Sequence, residues 1–295
     1  MVKMAEPFEI LFDRAELSPV EHPAYARYGH LGFPSAPFDR PWIYSNFVQS
    51  LDGIVSLLGR HFAGGDISQS PDDRWLMDLL RAHADAILTG ATTLLDERNA
   101  RGADSRGIVF RVVDPEVQDL RTKLGLGPER NLIATGHGKL PWRDLKLFDG
   151  SQVEPGIVTT ELGATNLGSL PSHVALIIAG EGPLIDWSLA AHKLRDDLNI
   201  RNLLCEGGPT LYGALARADL IDEKFVTISP IETGQLVPPE QERQPNETGP
   251  ALLRPTIFGG PGFTKETATW WRWISSRKLG DHEFNRYRRR RVQNS

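Results

Sequence analysis

An α/β protein with a mostly parallel central sheet is predicted by three patterns in the sequence. Short apolar runs of strand length alternate with helical or loop segments between residues 107 and 180, as in strands joined by crossover helices. The apolar run at 202–205 ends in a glycine turn and leads into a helical segment. Near the C-terminus, the aromatic stretch 270–274 and the stretch 282–291 predict an antiparallel pair at one edge of the sheet.

Composition and charge exclude several classes of protein. The 295 residues are 40% hydrophobic and include seven tryptophans, enough for a sizeable core. The formal net charge of -5 argues against nucleic acid as the main partner. No run approaches the ~20 apolar residues of a membrane-spanning helix, and residues 1–12 lack the pattern of a signal peptide. We therefore expect a cytoplasmic protein that binds neither a membrane nor nucleic acid.

The single cysteine, Cys205, excludes a disulfide framework and any multi-cysteine zinc site. Because it stands in a predicted strand, we expect a buried core residue rather than a nucleophile. No histidine pair has metal-ligand spacing on a predicted helix, so no metal site is expected. The basic run Arg288–Arg291 is predicted to be a solvated strand end rather than a nucleic-acid patch.

The chain is predicted to hold one domain, residues 41–295, behind an N-terminal extension. Residues 1–40 are rich in proline and show little periodicity, so we expect an extension that wraps the domain or a partly disordered leader. The stretch 235–253 is dense in Pro, Gln and Glu and is predicted to be an exposed insertion.

A strand and a helix follow the extension. Residues 41–53, rich in aromatic and β-branched side chains, predict the first central strand, which closes on an Asp-Gly turn. Ser70 suits the cap of the next helix, with Pro71 in its first position and Asp73 as a capping-box acid. Arg81 lies near the C-terminal end of that helix, where a cation is favoured locally; contact with a substrate anion is the alternative.

The strand predicted at 84–90 runs into the small residues Gly90 to Thr93. These would let a ligand approach the backbone, and the Thr93 hydroxyl could bond a phosphate or an amide. An ordinary helix N-cap at Thr92 or Thr93 is equally consistent with the sequence. The following segment, residues 96–101, is predicted to be a polar loop.

The strand at 202–205 is followed by the turn Glu206–Gly208 and by Pro209, which suits the first position of a helix. The next three amides, at 210–212, would point outward at the positive end of the helix dipole. Without side chains on its two glycines, the turn would admit a phosphate or pyrophosphate group beside a carboxylate. The alternative is an ordinary turn without a ligand.

Three glycine-bearing segments thus leave predicted strands, at 50–53, 90–93 and 206–212. The carboxyl ends of parallel strands line the ligand crevice of an α/β sheet. We therefore expect a phosphorylated or dinucleotide ligand there, with a small second ligand near carboxylates. The sequence contains no Gly-x-Ser-x-Gly elbow and no Walker phosphate loop, and these segments alone do not specify a reaction.

Four groups of motifs occur in order along the chain. They are Ser50-Leu51-Asp52-Gly53; Leu80-Arg81-Ala82 followed by Asp85 to Thr93; Glu206 to Leu211; and Asp222-Glu223 with Ser229-Pro230. Together they resemble the reductase domain of riboflavin biosynthesis, which is related in fold to dihydrofolate reductase. The resemblance implies a dihydrofolate-reductase-like three-layer α/β/α fold, with a mostly parallel central sheet and an antiparallel C-terminal edge. A single cysteine cannot supply the zinc deaminase domain of bifunctional members, so the chain resembles the free-standing form.

The resemblance implies an NADPH-dependent reductase acting on a phosphorylated ribosylamino-pyrimidine. Its ribose would be reduced to a ribityl chain by hydride transfer from the nicotinamide to C1′. The family also implies a homodimer, to which the aromatic residues 270–273 would contribute unless core packing accounts for them. Two alternatives stay open: a reductase of the same fold for a pterin or another heterocycle, and a nucleotide-binding protein that has lost catalysis.

The resemblance also assigns site residues. Glu206, Asn46 and Asp52 are expected at the catalytic centre, with Asp52 a turn residue first and a proton donor second. The cofactor-binding residues are expected to be Gln49, Gly90, Thr93, Glu97, Gly207, Gly208, Pro209, Thr210, Leu211, Tyr212 and Gly213. The substrate-binding residues are expected to be Ser50, Arg81, Arg98, Arg101 and Glu206.

The sequence departs from the family at two places that bear on the substrate. Asn46 replaces a lysine of many members, and it donates a hydrogen bond without supplying a positive charge. The family's Asp-Asp-Pro-x-Leu-x-x-Arg loop is replaced by a segment in which Arg98 or Arg101 would have to bind the phosphate. For NADPH over NADH, a cation is needed near the adenosine ribose, and the sequence offers Lys139 and Arg143.

Overall fold

The computed structural model describes residues 6–57, 65–102, 104–236 and 253–291, which form a ten-stranded sheet flanked by helices. The strands are β1 (Glu9–Asp13), β2 (Trp42–Gln49), β3 (Ala86–Gly90), β4 (Arg130–Ala134), β5 (Glu154–Thr159), β6 (Ala175–Ile178), β7 (Asn202–Cys205), β8 (Glu223–Ile228), β9 (Trp271–Leu279) and β10 (His282–Arg289). The helices are α1 (Pro23–Tyr28), α2 (Gly65–Ser68), α3 (Pro71–Ala82), α4 (Ala91–Ala100), α5 (Pro115–Lys123), α6 (Glu161–Leu167), α7 (Trp187–Asp196) and α8 (Pro209–Arg217).

The order of strands in the sheet is β1-β9-β10-β8-β2-β7-β3-β4-β5-β6. The strands from β8 to β6 run parallel, whereas β10, β9 and β1 pair antiparallel beyond β8. This confirms the predicted mostly parallel sheet with an antiparallel C-terminal edge. The parallel order brings the ends of β2, β3, β7 and β8 to one side of the sheet, which we call the carboxyl edge.

Two hydrophobic layers cover the sheet, one on each face, because its inner strands carry apolar side chains in both directions. Ile43 and Leu203 belong to the layer under α7 and α8, whereas their neighbours Tyr44 and Leu204 belong to the layer under α1, α3 and α5. Cys205 is fully buried in the first layer, and burial raises the pKa of its thiol to about 12. The prediction that it is a core residue is confirmed.

Helix α3 begins where the sequence predicts. Ser70 caps it by accepting hydrogen bonds from the amides of Asp72 (3.2 Å) and Asp73 (3.3 Å). The predicted capping box is wrong, because the amide of Ser70 donates to Ser68 Oγ (3.3 Å) rather than to Asp73. Arg81 lies in the last turn of the helix.

Helix α4 replaces the polar loop predicted from residue 96 onward, which is therefore wrong. The helix begins at Ala91 with Gly90 as its N-cap, so an N-cap at Thr92 or Thr93 is wrong as well. Its apolar residues do not recur on one face, and for that reason no helical periodicity marked it in the sequence. Its Leu, Glu, Arg and Ala residues nevertheless favour a helix by intrinsic propensity.

The chain before β2 contributes to the sheet and to its cover. Strand β1 pairs antiparallel with β9, and Arg277 of β9 forms an ion pair with Asp13. Phe8 is buried between Tyr28 and Phe284, with ring centroids 5.3 and 4.8 Å away. The segment thus adds an edge strand and part of the hydrophobic layer.

The insertion predicted at 235–253 lies outside the described residues except at its ends. There, Leu236 and Leu253 form an antiparallel bridge, and Arg254 Nη1 donates to Gly234 O (3.1 Å). The two ends therefore lie side by side.

The arginine run at the end of β10 is ion-paired within the chain. Arg288 contacts Glu16 and Glu223 at 2.5 Å each, and Arg289 contacts Asp219 at 2.5 Å. The predicted solvated strand end is wrong for these two, because carboxylates of neighbouring segments take up their charge. In the described parts of the chain, no helix has the length and apolar character needed to cross a membrane.

Candidate active site

The turns that follow β3 and β7 lie side by side at the carboxyl edge. Beyond the end of β7, the amide of Glu206 donates to Leu88 O (3.1 Å), and the amide of Gly90 donates to Gly207 O (2.8 Å). Strand pairing therefore continues into the turns. Two of the glycine-bearing segments predicted from the sequence are thus brought together.

The Gly207-Gly208 turn leaves no room for side chains. Gly207 has a φ of 87°, its peptide bond to Gly208 is cis, and a Cβ atom on it would lie 3.1 Å from the Phe47 ring. A Cβ atom on Gly208 would lie 3.0 Å from Thr93 Oγ1. The bare backbone of the turn and the Thr93 hydroxyl therefore lie together at the carboxyl edge, and we call this place the glycine cleft.

Helix α8 begins at the glycine cleft. Gly208 is its N-cap without a side-chain hydrogen bond, and Pro209 is its first residue. The amide of Tyr212 donates to Gly208 O (3.0 Å), so the prediction of an outward amide is wrong at this residue. The amides of Thr210 and Leu211 have no acceptor within the described ranges.

Three predicted cofactor-binding residues of α8 are placed in packing roles. Leu211 and Tyr212 have buried side chains, and the Tyr212 ring packs against Phe47 with 5.3 Å between centroids. A Cβ atom on Gly213 would lie 2.1 Å from Gly259 O. Gly213 therefore allows another segment to approach the helix.

Arg81 and Glu206 form a bidentate ion pair next to the glycine cleft. Arg81 Nε and Nη2 donate to the two carboxylate oxygens of Glu206 at 2.6 and 2.7 Å, and the side chains are only 9% and 7% exposed. Burial, the largest single influence, lowers the pKa of Arg81, but the neighbouring carboxylates, Glu206 first and then Asp78 and Glu129, together raise the pKa, so the guanidinium stays charged. Arg81 Nη1 donates to Arg111 O (2.9 Å).

Two polar side chains flank Glu206 on the same face of the sheet. Ser45 of β2 lies opposite Cys205 of β7, which sets Asn46 beside Glu206, and Thr89 of β3 lies on the other side. Asn46 Oδ1 and Thr89 Oγ1 are buried and lack a hydrogen-bond partner among the residues described. A buried polar atom without a partner is costly, so this polar row suits contact with a polar ligand.

Thr89 is a residue that sequence reasoning missed. It is the one hydroxyl in the apolar strand β3, directly before Gly90. A polar residue at the ligand edge of a strand buried on both faces is the signal that could have found it.

Of the predicted site residues at the end of β2, one lies on the sheet face toward α8 and two lie in the turn that follows. Gln49 is half-buried and shares with Phe47 the sheet face toward α8. Ser50 Oγ donates to Asp52 (2.5 Å), which also accepts from the amide of Gly234 (2.7 Å). These hydrogen bonds, that from Ser50 first, lower the pKa of Asp52, so the carboxyl group is ionised at neutral pH and unsuited to donate a proton. Ser50 and Asp52 are therefore placed as turn residues.

The remaining predicted residues lie in α4 or at its end. Arg98 Nε donates to Ser105 O (3.1 Å), which ties this side chain to the following loop. Arg101 has a 56% exposed side chain, 4.0 Å from the Glu97 carboxylate. Burial raises the pKa of Glu97. Of the two arginines, Arg101 is the more available cation.

The two cations considered for the adenosine 2′-phosphate differ in position. Arg143 lies 4.1 Å from the centroid of the Trp142 ring, whose Nε1 donates to Leu167 O at the end of α6. Since α6 leaves the carboxyl edge, its end lies about 10 Å away from that edge. Gly138, the residue before Lys139, packs against Gly163 in the first turn of α6. Lys139 therefore lies closer to the carboxyl edge than Arg143 does.

Known proteins similar in sequence are named reductases. The family profile of the RibD C-terminal domain matches residues 41–281. The chain is 27% identical over 203 residues to the 2,5-diamino-6-ribosylamino-4(3H)-pyrimidinone 5′-phosphate reductase of Saccharomyces cerevisiae, covering 64% of this chain and 71% of that protein. It is 26% identical over 196 residues to the protein of the same name from Archaeoglobus fulgidus, covering 66% and 83%.

Solved structures share the fold. A pyrimidine reductase-like protein from Corynebacterium diphtheriae aligns with a TM-score of 0.63 at 21% identity, over 92% of this chain and 100% of that one. The riboflavin biosynthesis reductase of Saccharomyces cerevisiae aligns with a TM-score of 0.54 at 20% identity, over 86% and 92%. Since the profile match spans well over half of the sequence, the chain belongs to the RibD C-terminal domain family.

Proposed function

We propose that the chain is an NADPH-dependent reductase that converts the ribose of a phosphorylated ribosylamino-pyrimidine to a ribityl group. The observation that carries the proposal is the pairing of two turns, Gly90–Thr93 and Glu206–Pro209, at the carboxyl edge of a chain of this family. The turns supply an anion-binding backbone, and the polar row with its ion pair lies beside them.

The glycine cleft fits the phosphates of a dinucleotide. A side chain on Gly207 would meet the Phe47 ring, and one on Gly208 would meet the Thr93 hydroxyl, so the backbone of the turn has to stay bare. The amides of Thr210 and Leu211 add donors at the positive end of α8. When bound, the nicotinamide cofactor supplies the hydride. The residues of the chain bind the phosphates of the cofactor, and the two glycines keep side chains away from the place where these phosphates lie.

The polar row is proposed to hold the substrate. Asn46 offers an amide donor and the unpaired Oδ1 acceptor, and Thr89 offers an unpaired hydroxyl. Arg81 holds Glu206 between them in one orientation. Neither Asp52, which is ionised, nor Glu206, whose two oxygens both accept from Arg81, is prepared to donate a proton. Their proposed roles are to shape the turn and to orient the substrate.

Two exposed cations are proposed to bind phosphate groups at the ends of the site. Arg101 is assigned to the substrate phosphate because Arg98 is tied to its loop. Lys139 is assigned to the 2′-phosphate of NADPH because Arg143 lies at the far end of α6. The homodimer and the cytoplasmic location predicted from the sequence remain predictions.

Steady-state turnover tests the proposal. Because both curated relatives are named for the 2,5-diamino-pyrimidinone, we propose that substrate over its deaminated uracil analogue. NADPH oxidation should depend on the diamino compound and be lost in Glu206→Gln at a temperature where circular dichroism shows that variant folded. If NADPH is oxidised neither with the diamino compound nor with its uracil analogue, the proposed substrate is contradicted.

A reductase of another heterocycle is the second candidate. The observation that favours it is helix α4, which stands where the family's substrate loop is expected. This candidate is favoured if the protein binds NADPH tightly and turns over a dihydropterin precursor but neither pyrimidine phosphate.

A further inference from the structure

The segment 255–263, which follows the insertion, packs against the first turn of α8. The amide of Gly259 donates to Pro209 O (2.9 Å). A Cβ atom on Gly259 would lie 2.8 Å from both Pro209 C and Thr210 N, closer than a side chain can approach. Since Thr210 carries one of the outward amides, this contact touches the backbone that lines the glycine cleft.

A second glycine completes the contact from the helix side. Gly213 lies one turn after Pro209, and a Cβ atom on it would lie 2.1 Å from Gly259 O. Both positions must therefore lack a side chain for the segment and the helix to meet. Because the other side of α8 packs on the sheet, the position of its first turn depends on this contact.

Arg217 fastens the same segment to the end of α8. Its Nη1 donates to Gly259 O (3.0 Å) and Pro261 O (3.1 Å), and its guanidinium lies 5.5 Å from the centroid of the Phe258 ring. The Phe258 ring in turn packs against Tyr212 with 6.2 Å between centroids. The helix is therefore held along its whole length.

The other end of the segment is tied to the turn after β2, because the amide of Val55 donates to Pro255 O (2.9 Å) and the preceding residue, Arg254, makes two further contacts. Arg254 Nε donates to Leu57 O (2.9 Å) and its Nη1 to Gly234 O (3.1 Å). The amide of Gly234 donates to Asp52 (2.7 Å). The segment thus connects the turn at Asp52 with the helix that borders the glycine cleft.

We propose that Gly259 and Arg217 are positioning residues for cofactor binding, which hold the first turn of α8 where its amides meet the phosphates of NADPH. The inference rests on the proposed function and extends it to residues outside the motifs of the site. A shift of this turn would misplace the amides of Thr210 and Leu211 without altering the polar row.

Gly259→Ala and Gly262→Ala are a matched pair for the test, because within the described structure nothing lies within 4 Å of a Cβ atom on Gly262. The dissociation constant of NADPH is measured by quenching of tryptophan fluorescence, without substrate. We expect it to rise about tenfold in Gly259→Ala, as for the loss of one charge-assisted hydrogen bond. It should stay at the wild-type value in Gly262→Ala.

Three further readouts separate positioning from general damage. In Gly259→Ala at saturating NADPH, the KM for the pyrimidine substrate should be unchanged. Amide hydrogen exchange should rise in the peptide that spans residues 207–213. Arg217→Ala adds no side-chain clash and should also weaken NADPH binding, and Arg217→Lys should restore part of the affinity. The Arg217 variants decide the question if Gly259→Ala does not fold.

The outcomes distinguish this inference from the proposed function. Wild-type NADPH affinity in Gly259→Ala and Arg217→Ala would overturn the positioning role alone. An equal loss of substrate affinity would overturn it too, since it would indicate loosening of the whole site. If neither the wild type nor Gly262→Ala binds NADPH, both the inference and the proposed function are overturned.

Discussion

At the scale of single residues, the ion pair of Arg81 and Glu206 is the charged contact of the site on which the stability of the protein should depend most. Both side chains are less than one-tenth exposed and share two hydrogen bonds. Glu206→Gln leaves the buried Arg81 guanidinium without its bidentate partner and with only a longer contact to Asp78 (3.6 Å), and breaking a buried pair by removing one partner is costly. We expect Glu206→Gln to lower the free energy of unfolding by about 3 kcal/mol, measured by urea denaturation.

The double variant Arg81→Met, Glu206→Gln is the control for this prediction. It removes both charges of the pair, while Asp78 keeps its hydrogen bonds from the amides of Val113 and Asp114 (2.8 and 2.9 Å), so it should be more stable than the single variant. A single variant as stable as the wild type would show that the pair is open in solution.

Because the His83 ring is buried in its neutral form, we expect the protein to lose stability in mild acid. Tyr25 O–H donates to His83 Nε2 (2.7 Å), and with this tautomer Nδ1 donates to Leu79 O (2.8 Å). Burial lowers the pKa of His83 from 6.5 to about 4. The unfolded chain therefore takes up the proton first as the pH falls below 6.5, and stability decreases down to about pH 4. From pH 7 to pH 5 we expect a loss of about 2 kcal/mol from this group.

His83→Gln is the comparison for the acid prediction. Its free energy of unfolding, measured over the same pH range, should fall less steeply than that of the wild type because the variant lacks the titrating ring. Parallel pH profiles would assign the acid sensitivity to the carboxylates instead.

At the scale of elements, the turn between β3 and α4 offers a pair of neighbouring threonines. The Thr93 hydroxyl borders the glycine cleft, whereas the side chain of Thr92 is exposed to solvent. We expect Thr93→Val to weaken NADPH binding about tenfold, and Thr92→Val to leave it unchanged, by calorimetric titration. Equal affinities in the two variants would exclude Thr93 as a phosphate contact.

Elements with local signals were predictable from the sequence, and contacts across the sheet were not. Glycine and proline fix the backbone at the start of α8, so the turn after β7 follows from its own residues. Helix α4 carries no periodic apolar face, so the sequence predicts a polar loop over its second half, residues 96–101. The pairing of Arg81 with Glu206 joins residues 125 positions apart, and it depends on the strand order. The role of Thr89 depends on that order as well, whereas the role of Gly259 depends on its contact with Pro209, 50 positions away in the chain.

At the scale of the whole molecule, the antiparallel edge of the sheet exposes large aromatic side chains. Trp270 and Trp273 are 73% and 47% exposed, although the Trp273 ring packs against Phe12 with 4.7 Å between centroids, and exposed apolar patches mark interaction surfaces. We expect a homodimer by light scattering, and a monomer for the double variant Trp270→Ser, Trp273→Ser. Phe38 is 96% exposed elsewhere on the chain, so Phe38→Ser should stay dimeric. A monomeric wild type would contradict this prediction.

At the same scale, hydride transfer to the ribose of a pyrimidine phosphate can be followed through the transferred hydrogen itself. NADPH carrying deuterium at the transferring C4 position is incubated with the protein and the diamino-pyrimidinone ribosyl phosphate, and the product is analysed by NMR and mass spectrometry. We expect deuterium at C1′ of a ribityl product, in proportion to the NADPH oxidised. Oxidation without deuterium at C1′, or no oxidation despite bound NADPH, would contradict it.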